Sequence, residues 1–149
     1  MADRTFYPSY TYGFARVSLE FQFPVFTSGS LAMVFSGQSG TQNIFGVGND
    51  VLSSITYSAT GVYTVVLKDK NHYNKVIYAS ASVSDDGTNN AGAYATVGSV
   101  ANEGSGTVGI QFVVRTYAAG GAATALTVAA GHVIQPMLIF RNSAGSNPA

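Results

Sequence analysis

The chain contains no cysteine and no tryptophan. Without cysteine there is no disulfide framework and no thiolate site, and redox compartment leaves no mark on the sequence. Charge is scarce as well. Only 9% of the 149 residues are Asp, Glu, Lys or Arg, against about 25% in an ordinary soluble domain. Seven cations balance seven anions, so the formal net charge is zero. A nucleic-acid partner requires a basic face and a membrane-surface helix requires a basic stripe, and the count supplies neither. No run of about 18 apolar residues is present to span a bilayer. Met1-Ala2-Asp3-Arg4 lacks the basic start and apolar stretch of a cleaved signal peptide, so synthesis in the cytoplasm without signal-dependent export is expected.

What the chain does have is apolar and aromatic material. Hydrophobic residues make up 46% of it, with nine Tyr and nine Phe. At this length one domain is expected, burying about 70% of the surface that its unfolded chain exposes. A surface with so few charges lacks the repulsion that keeps monomers apart. Two readings follow: a Ser/Thr/Asn-covered soluble surface, or one largely covered by partners.

Short β-rich runs separated by turn residues dominate the order. Val62 to Leu67, entered from Gly61, is rich in β-branched and aromatic residues, as strands are. The polar break from Lys68 to Asn71 and a second run from Val76 to Val83 suggest a two-strand unit. Phe14 to Phe23 has the clearest alternation: Val17, Leu19, Phe21 and Phe23 share one face, and Arg16, Ser18, Glu20 and Gln22 the other, the mark of a half-buried strand. Further strands are expected at 31–35, 44–47, 51–57, 93–100, 107–117 and 133–141. Within the last, Pro136 argues for an edge or a bulge, because it offers the ladder no N–H. Residues 126–130 read as neither strand nor loop. The alanine-rich 118–130 run is broken by Gly120 and Gly121, and no helix is expected. Eight to ten short strands at this spacing describe an all-β antiparallel β-sandwich, jelly-roll-like. The expected layout is an extended N-terminal arm over 1–13, a single sandwich domain over 14–142, and a polar tail over 143–149. The arm carries four aromatics around Pro8 and fits docking either on the domain's own edge or on a neighbouring subunit.

The search for chemistry yields little. Gly46-Val47-Gly48 opens like a dinucleotide fingerprint, but Val51 stands where the third glycine belongs and no helix follows. Gly37-Gln38-Ser39-Gly40 misses the nucleophile-elbow spacing. Asp85, Asp86, Asn89 and Asn90 offer oxygen ligands, yet adjacent aspartates do not alternate as a calcium loop demands, so a solvated turn is expected. His72 and His132 have no acidic neighbour in sequence and read as surface or hydrogen-bonded structural residues. Tyr57, Tyr63, Tyr73, Tyr78 and Tyr117 are expected to pack with bonded hydroxyls rather than to line a sugar platform. No nucleophile, base and orienting group fall together, so no enzymatic activity, no metal and no cofactor are expected.

Some segments nonetheless have a family likeness. Gly61-Val62-Tyr63-Thr64-Val65-Val66-Leu67-Lys68-Asp69-Lys70 followed by Val76-Ile77, the stretch Val113-Val114-Arg115-Thr116-Tyr117, the closing Phe140-Arg141-Asn142-Ser143 and the opening Asp3-Arg4-Thr5-Phe6 resemble segments of small virion structural proteins of tailed bacteriophages, of the capsid decoration (cement) type. The resemblance spans most of the chain, 28–50 and 85–106 excepted. It implies a capsid decoration protein on the outer capsid surface of the virion, a homotrimer whose partner is the major capsid protein, with no nucleic acid and no membrane involved. Arg4, Phe6, Tyr7, Tyr10, Tyr12 and Arg16 are then the expected capsid or subunit contacts. The alternative is a tail-fibre or receptor-binding β-sandwich module recognising a host surface glycan. A sugar-binding module outside any virus follows it, and an enzyme comes last.

Overall fold

A computed structural model of the chain describes residues 9–11, 14–35, 44–47, 50–68, 75–84, 87–105, 107–128 and 132–141. The strands are β1 (Ser9–Thr11), β2 (Phe14–Glu20), β3 (Phe23–Pro24), β4 (Leu52–Ala59), β5 (Val62–Leu67), β6 (Lys75–Ser84), β7 (Tyr94–Ala101), β8 (Gln111–Tyr117) and β9 (Val133–Arg141). No helix occurs among the described residues. All pairings between named strands are antiparallel. The sheet runs in the order β1-β2-β9-β6-β7-β8-β5-β4, with β3 on β9 beside β2.

This sheet is curled into a half-barrel, as side-chain reach demonstrates. Phe23 on β3 and Tyr63 on β5 lie five strand steps apart in the order. On a flat sheet that is about 24 Å, at about 4.8 Å per strand. Their ring centroids are 5.5 Å apart. Curling is easiest where side chains are small, and at the β6–β7 seam the register records one pair, Ala81 with Ala95. The run 22–35 crosses the open side of the trough. Gln22 exchanges backbone bonds with Phe45 at 2.9 and 3.0 Å, and further along Leu31 N–H donates to Ile55 O at 2.9 Å on β4. Phe26, Leu31, Phe35, Ile44 and Val47 are buried along this closure.

The expected alternation of β2 holds, and the strand expected at 107–117 alternates in the same way. Val17, Leu19, Phe21 and Phe23 face the core, as do Ile110, Phe112 and Val114. Three expectations do not hold. The runs at 62–67 and 76–83 are strands but not a hairpin, because β5 lies between β4 and β8 and β6 between β7 and β9. The hairpin is β4–β5, turned by Gly61 at φ +66°, a conformation that disfavours any residue with a Cβ. A Cβ there would also run into the carbonyl oxygens of Thr124 and Thr116. Second, Pro136 is buried in β9, an interior strand. Its carbonyl accepts from Phe21 N–H at 3.4 Å, so its missing N–H faces the gap between β2 and β3. The register on either side of that gap is the same: Glu20 pairs with Met137 and Phe23 with Ile134. The proline therefore splits one long strand into two instead of marking an edge. Third, Leu31 to Phe35 and Ile44 to Val47 form isolated bridges, not strands, since they close the trough rather than extend the sheet.

Candidate functional site

Of the six contact residues expected from the sequence, Arg4, Phe6, Tyr7 and Tyr12 lie outside the described residues. Tyr10 belongs to β1, where its backbone pairs with Ala15, and Ser9 pairs with Arg16. This part of the arm is thus an edge strand of the sheet. Arg16 is half-buried on β2.

The structure sets two further cations beside Arg16. Arg16 is the cross-strand partner of Arg141 on β9, and Arg141 is the partner of Lys75 on β6. The next row inward, Val17, Phe140 and Val76, packs into the core. Alternation therefore puts the cationic row on the outer face. Three of the chain's seven Lys and Arg residues occupy this single row. Like charges directly opposite destabilise a sheet. Glu103, from the β7–β8 connection, stands nearby and its Oε1 accepts from Val76 N–H at 2.7 Å. Lys75, Glu103, Gly104 and Arg141 line an open cleft of about 340 Å³. Sequence reasoning missed Lys75 and Arg141 because 125 positions separate Arg16 from Arg141, and only the strand order aligns them.

Next to this row β6 carries a bulge. Its register passes from Val76↔Phe140 to Tyr78↔Ile139, leaving Ile77 as the extra residue. Ile77 and Tyr78 are consecutive, and they are 49% and 48% exposed. Further down this face Gln135 Nε2 donates to Glu20 Oε1 at 2.6 Å.

The buried polar groups are structural. Asn90 Oδ1 accepts from Thr127 N–H at 2.9 Å, and its Nδ2 donates to Thr127 O at 3.2 Å. That pairing fixes the amide orientation, and His132 Nδ1 sits 2.9 Å from Asn90 Nδ2 and 3.0 Å from Thr127 O. The backbone carbonyl of His132 accepts from Val25 N–H at 3.1 Å. His132 is thus a hydrogen-bonded core residue, as expected. Asn90, by contrast, is buried rather than part of a solvated turn, because it substitutes for a strand partner along Thr127. His72, Asp85 and Asp86 lie outside the described residues. Among the described residues no three His, Cys, Asp or Glu gather as a metal site.

Tyr63 is fully buried and its hydroxyl donates to Phe26 O at 2.9 Å. Burial raises its pKa far above the usual tyrosine value, the neighbouring Tyr57 adds to the rise, and the bond to Phe26 opposes it. Tyr57 is half-buried and its hydroxyl accepts from Gly61 N–H at 3.0 Å. These two match the expected packing with bonded hydroxyls. Tyr73 lies outside the described residues, and Tyr78 is exposed instead. Tyr117 stacks on Tyr94 at 5.0 Å with planes 17° apart, and Tyr94 is 43% exposed.

No protein-family model, no curated protein and no solved structure matches this chain.

Proposed function

We propose that the protein is a phage capsid decoration protein that binds the outer capsid surface and reinforces contacts between major capsid proteins. The observation that carries the reading is its surface. A chain with 9% charged residues also exposes large apolar side chains, among them Phe45 at 42%, Ile77 at 49% and Tyr78 at 48%. Such a surface suits contact more than free life in solution. The resemblance of Gly61 to Lys70 and of the closing strand to virion structural proteins supports the same reading. In it the protein is made in the host cytoplasm and acts as a homotrimer. The curled sheet serves as a jelly-roll-like sandwich, β1-β2-β9-β6 against β7-β8-β5-β4, with the arm and Arg16 turned to neighbouring subunits. Electron cryo-microscopy of particles carrying the chain tests it. Density on the capsid faces is expected, and density confined to the tail overturns the reading.

A second reading, recognition of a host surface glycan by a tail-fibre module, is favoured by one feature. The stacked Tyr94–Tyr117 pair provides an aromatic platform on the outer face, the kind of surface on which sugar rings lie. Glycan-array binding by the wild type that Tyr94→Ala abolishes would favour it over the first.

A further inference from the structure

We propose that the outer-face strip formed by Tyr94, Ser82, Gln135 and Glu20 is a binding site for an uncharged sugar ring of a glycan. The inference rests on the second reading, whose Tyr94–Tyr117 platform it extends across the sheet, and it names the rest of the site and the class of ligand. Two observations converge on it. The first is the open face of Tyr94. Tyr117 covers that ring from the β8 side, with centroids 5.0 Å and planes 17° apart. A cross-strand aromatic pair of this kind steadies the sheet. Pairing does not bury Tyr94, however, which stays 43% exposed. The face opposite Tyr117 turns towards β6, the next strand in the order.

The second observation is what stands on that side. Ala81 pairs with Ala95, and both pack on the core. Alternation therefore sets the neighbouring Ser82 and Tyr94 side by side on the outer face. Ser82 pairs in turn with Gln135 on β9, whose Nε2 donates to Glu20 Oε1 at 2.6 Å. The strip thus runs tyrosine, serine, amide, carboxylate over four adjacent strands. From β7 to β9 is two strand steps, about 10 Å, and in that row only the short, exposed side chain of Ser82 stands between Tyr94 and Gln135. An aromatic face with a few fixed polar groups beside it is how small-molecule sites are built. The C–H face of a hexose packs on the tyrosine, and its hydroxyls meet Ser82, the Gln135 carbonyl and the Glu20 carboxylate. Gln135 engages one oxygen of a group that has two, so amide and carboxylate together suit neighbouring hydroxyls. The same carboxylate repels a sugar that carries its own acid group, which selects an uncharged ring.

The test uses the full-length protein on an array of neutral oligosaccharides and their uronic-acid and sialic-acid counterparts, then calorimetric titration with the strongest neutral binder. Wild type is expected to bind neutral glycans and to reject the acidic ones. Y94A is expected to lose about tenfold or more in affinity, as truncation of an anchor does. E20Q is expected to lose about tenfold, because a charged acceptor becomes a neutral one. S82L sets a bulky side chain on the strip and is expected to abolish binding. Y78A removes another exposed tyrosine of β6 and is expected to bind within about twofold of wild type. Glu20 and Ser82 are exposed, so E20Q and S82L still read the site should Y94A misfold. Wild-type affinity in E20Q and S82L, with Y94A reduced, overturns the inference and leaves the glycan reading on the tyrosine pair alone. Equal losses in Y78A and Y94A overturn it by showing general aromatic adhesion, and a preference for acidic sugars overturns it as well. A wild type that binds no glycan overturns the inference and the glycan reading together.

Discussion

Tyr63→Phe removes one hydroxyl and leaves the aromatic cluster intact. Ring contacts to Phe23 at 5.5 Å, Phe26 at 5.2 Å and Tyr57 at 5.3 Å all survive. What is lost is the 2.9 Å bond to Phe26 O, which leaves a buried carbonyl without that donor. At neutral pH the loss is expected to cost about 2 kcal/mol, or about 4–8 °C in melting temperature for a domain of this size. The pH dependence is more diagnostic. The folded-state pKa of Tyr63 lies above its unfolded value of about 10, so the stability it contributes is complete below pH 10. It is lost as pH rises towards the folded value, because the unfolded chain releases the proton first. At pH 11 the unfolded tyrosine has gained about 1.4 kcal/mol from ionising, which the folded one has not. Other tyrosines titrate equally in both proteins and cancel. Denaturant titrations of wild type and Y63F at pH 7 and 11 should therefore show the gap shrinking from about 2 to about 0.6 kcal/mol. A gap that stays constant, or is absent at pH 7, refutes the buried, bonded Tyr63.

Asn90→Ala removes both bonds to Thr127 and the bond to His132; a loss of about 2–4 kcal/mol is expected in chemical denaturation, and an unchanged midpoint would mean that the amide ties nothing. Gly61→Ala and Gly29→Ala separate backbone strain from steric conflict. Both glycines have positive φ, worth about 1–2 kcal/mol each, but only at Gly61 does a Cβ meet carbonyl oxygens. G61A should then cost over 3 kcal/mol by thermal melting, strain and overpacking together, and equal costs at the two sites would contradict the close approach of Thr124.

Most strands could be read from the sequence because the signal is local. The alternation of Val17 to Phe23 and of Ile110 to Val114 follows from a period of two against one buried face, and β5 and β9 are bounded by residues that end a strand. The order of strands was not legible. Nothing within Lys68 to Lys75 says whether it turns back or crosses over, and it crosses over, since β5 takes β8 as its partner. Pro136 misled for a physical reason. Proline forbids one ladder bond, not an interior position, and the β2–β3 gap absorbs that single loss. The arm residues were singled out by aromatic content. Lys75 and Arg141 went unnoticed because each looks like an ordinary strand-end charge, and only the pairing of β9 with both β2 and β6 turns three such ends into one row.

The placement of that row also follows from how the curl is held. At the β6–β7 seam the register has one pair, so backbone bonding contributes little to joining the two halves there. The halves meet instead through side chains across the trough, with Phe23 and Phe26 of the one crossing run against Tyr63 on the far side. The interior face is thereby committed to packing, and any substitution on it is felt as stability. The outer face of β2, β9 and β6 carries no such duty. It accommodates an exposed bulge at Ile77 and three aligned cations with Glu103 beside them.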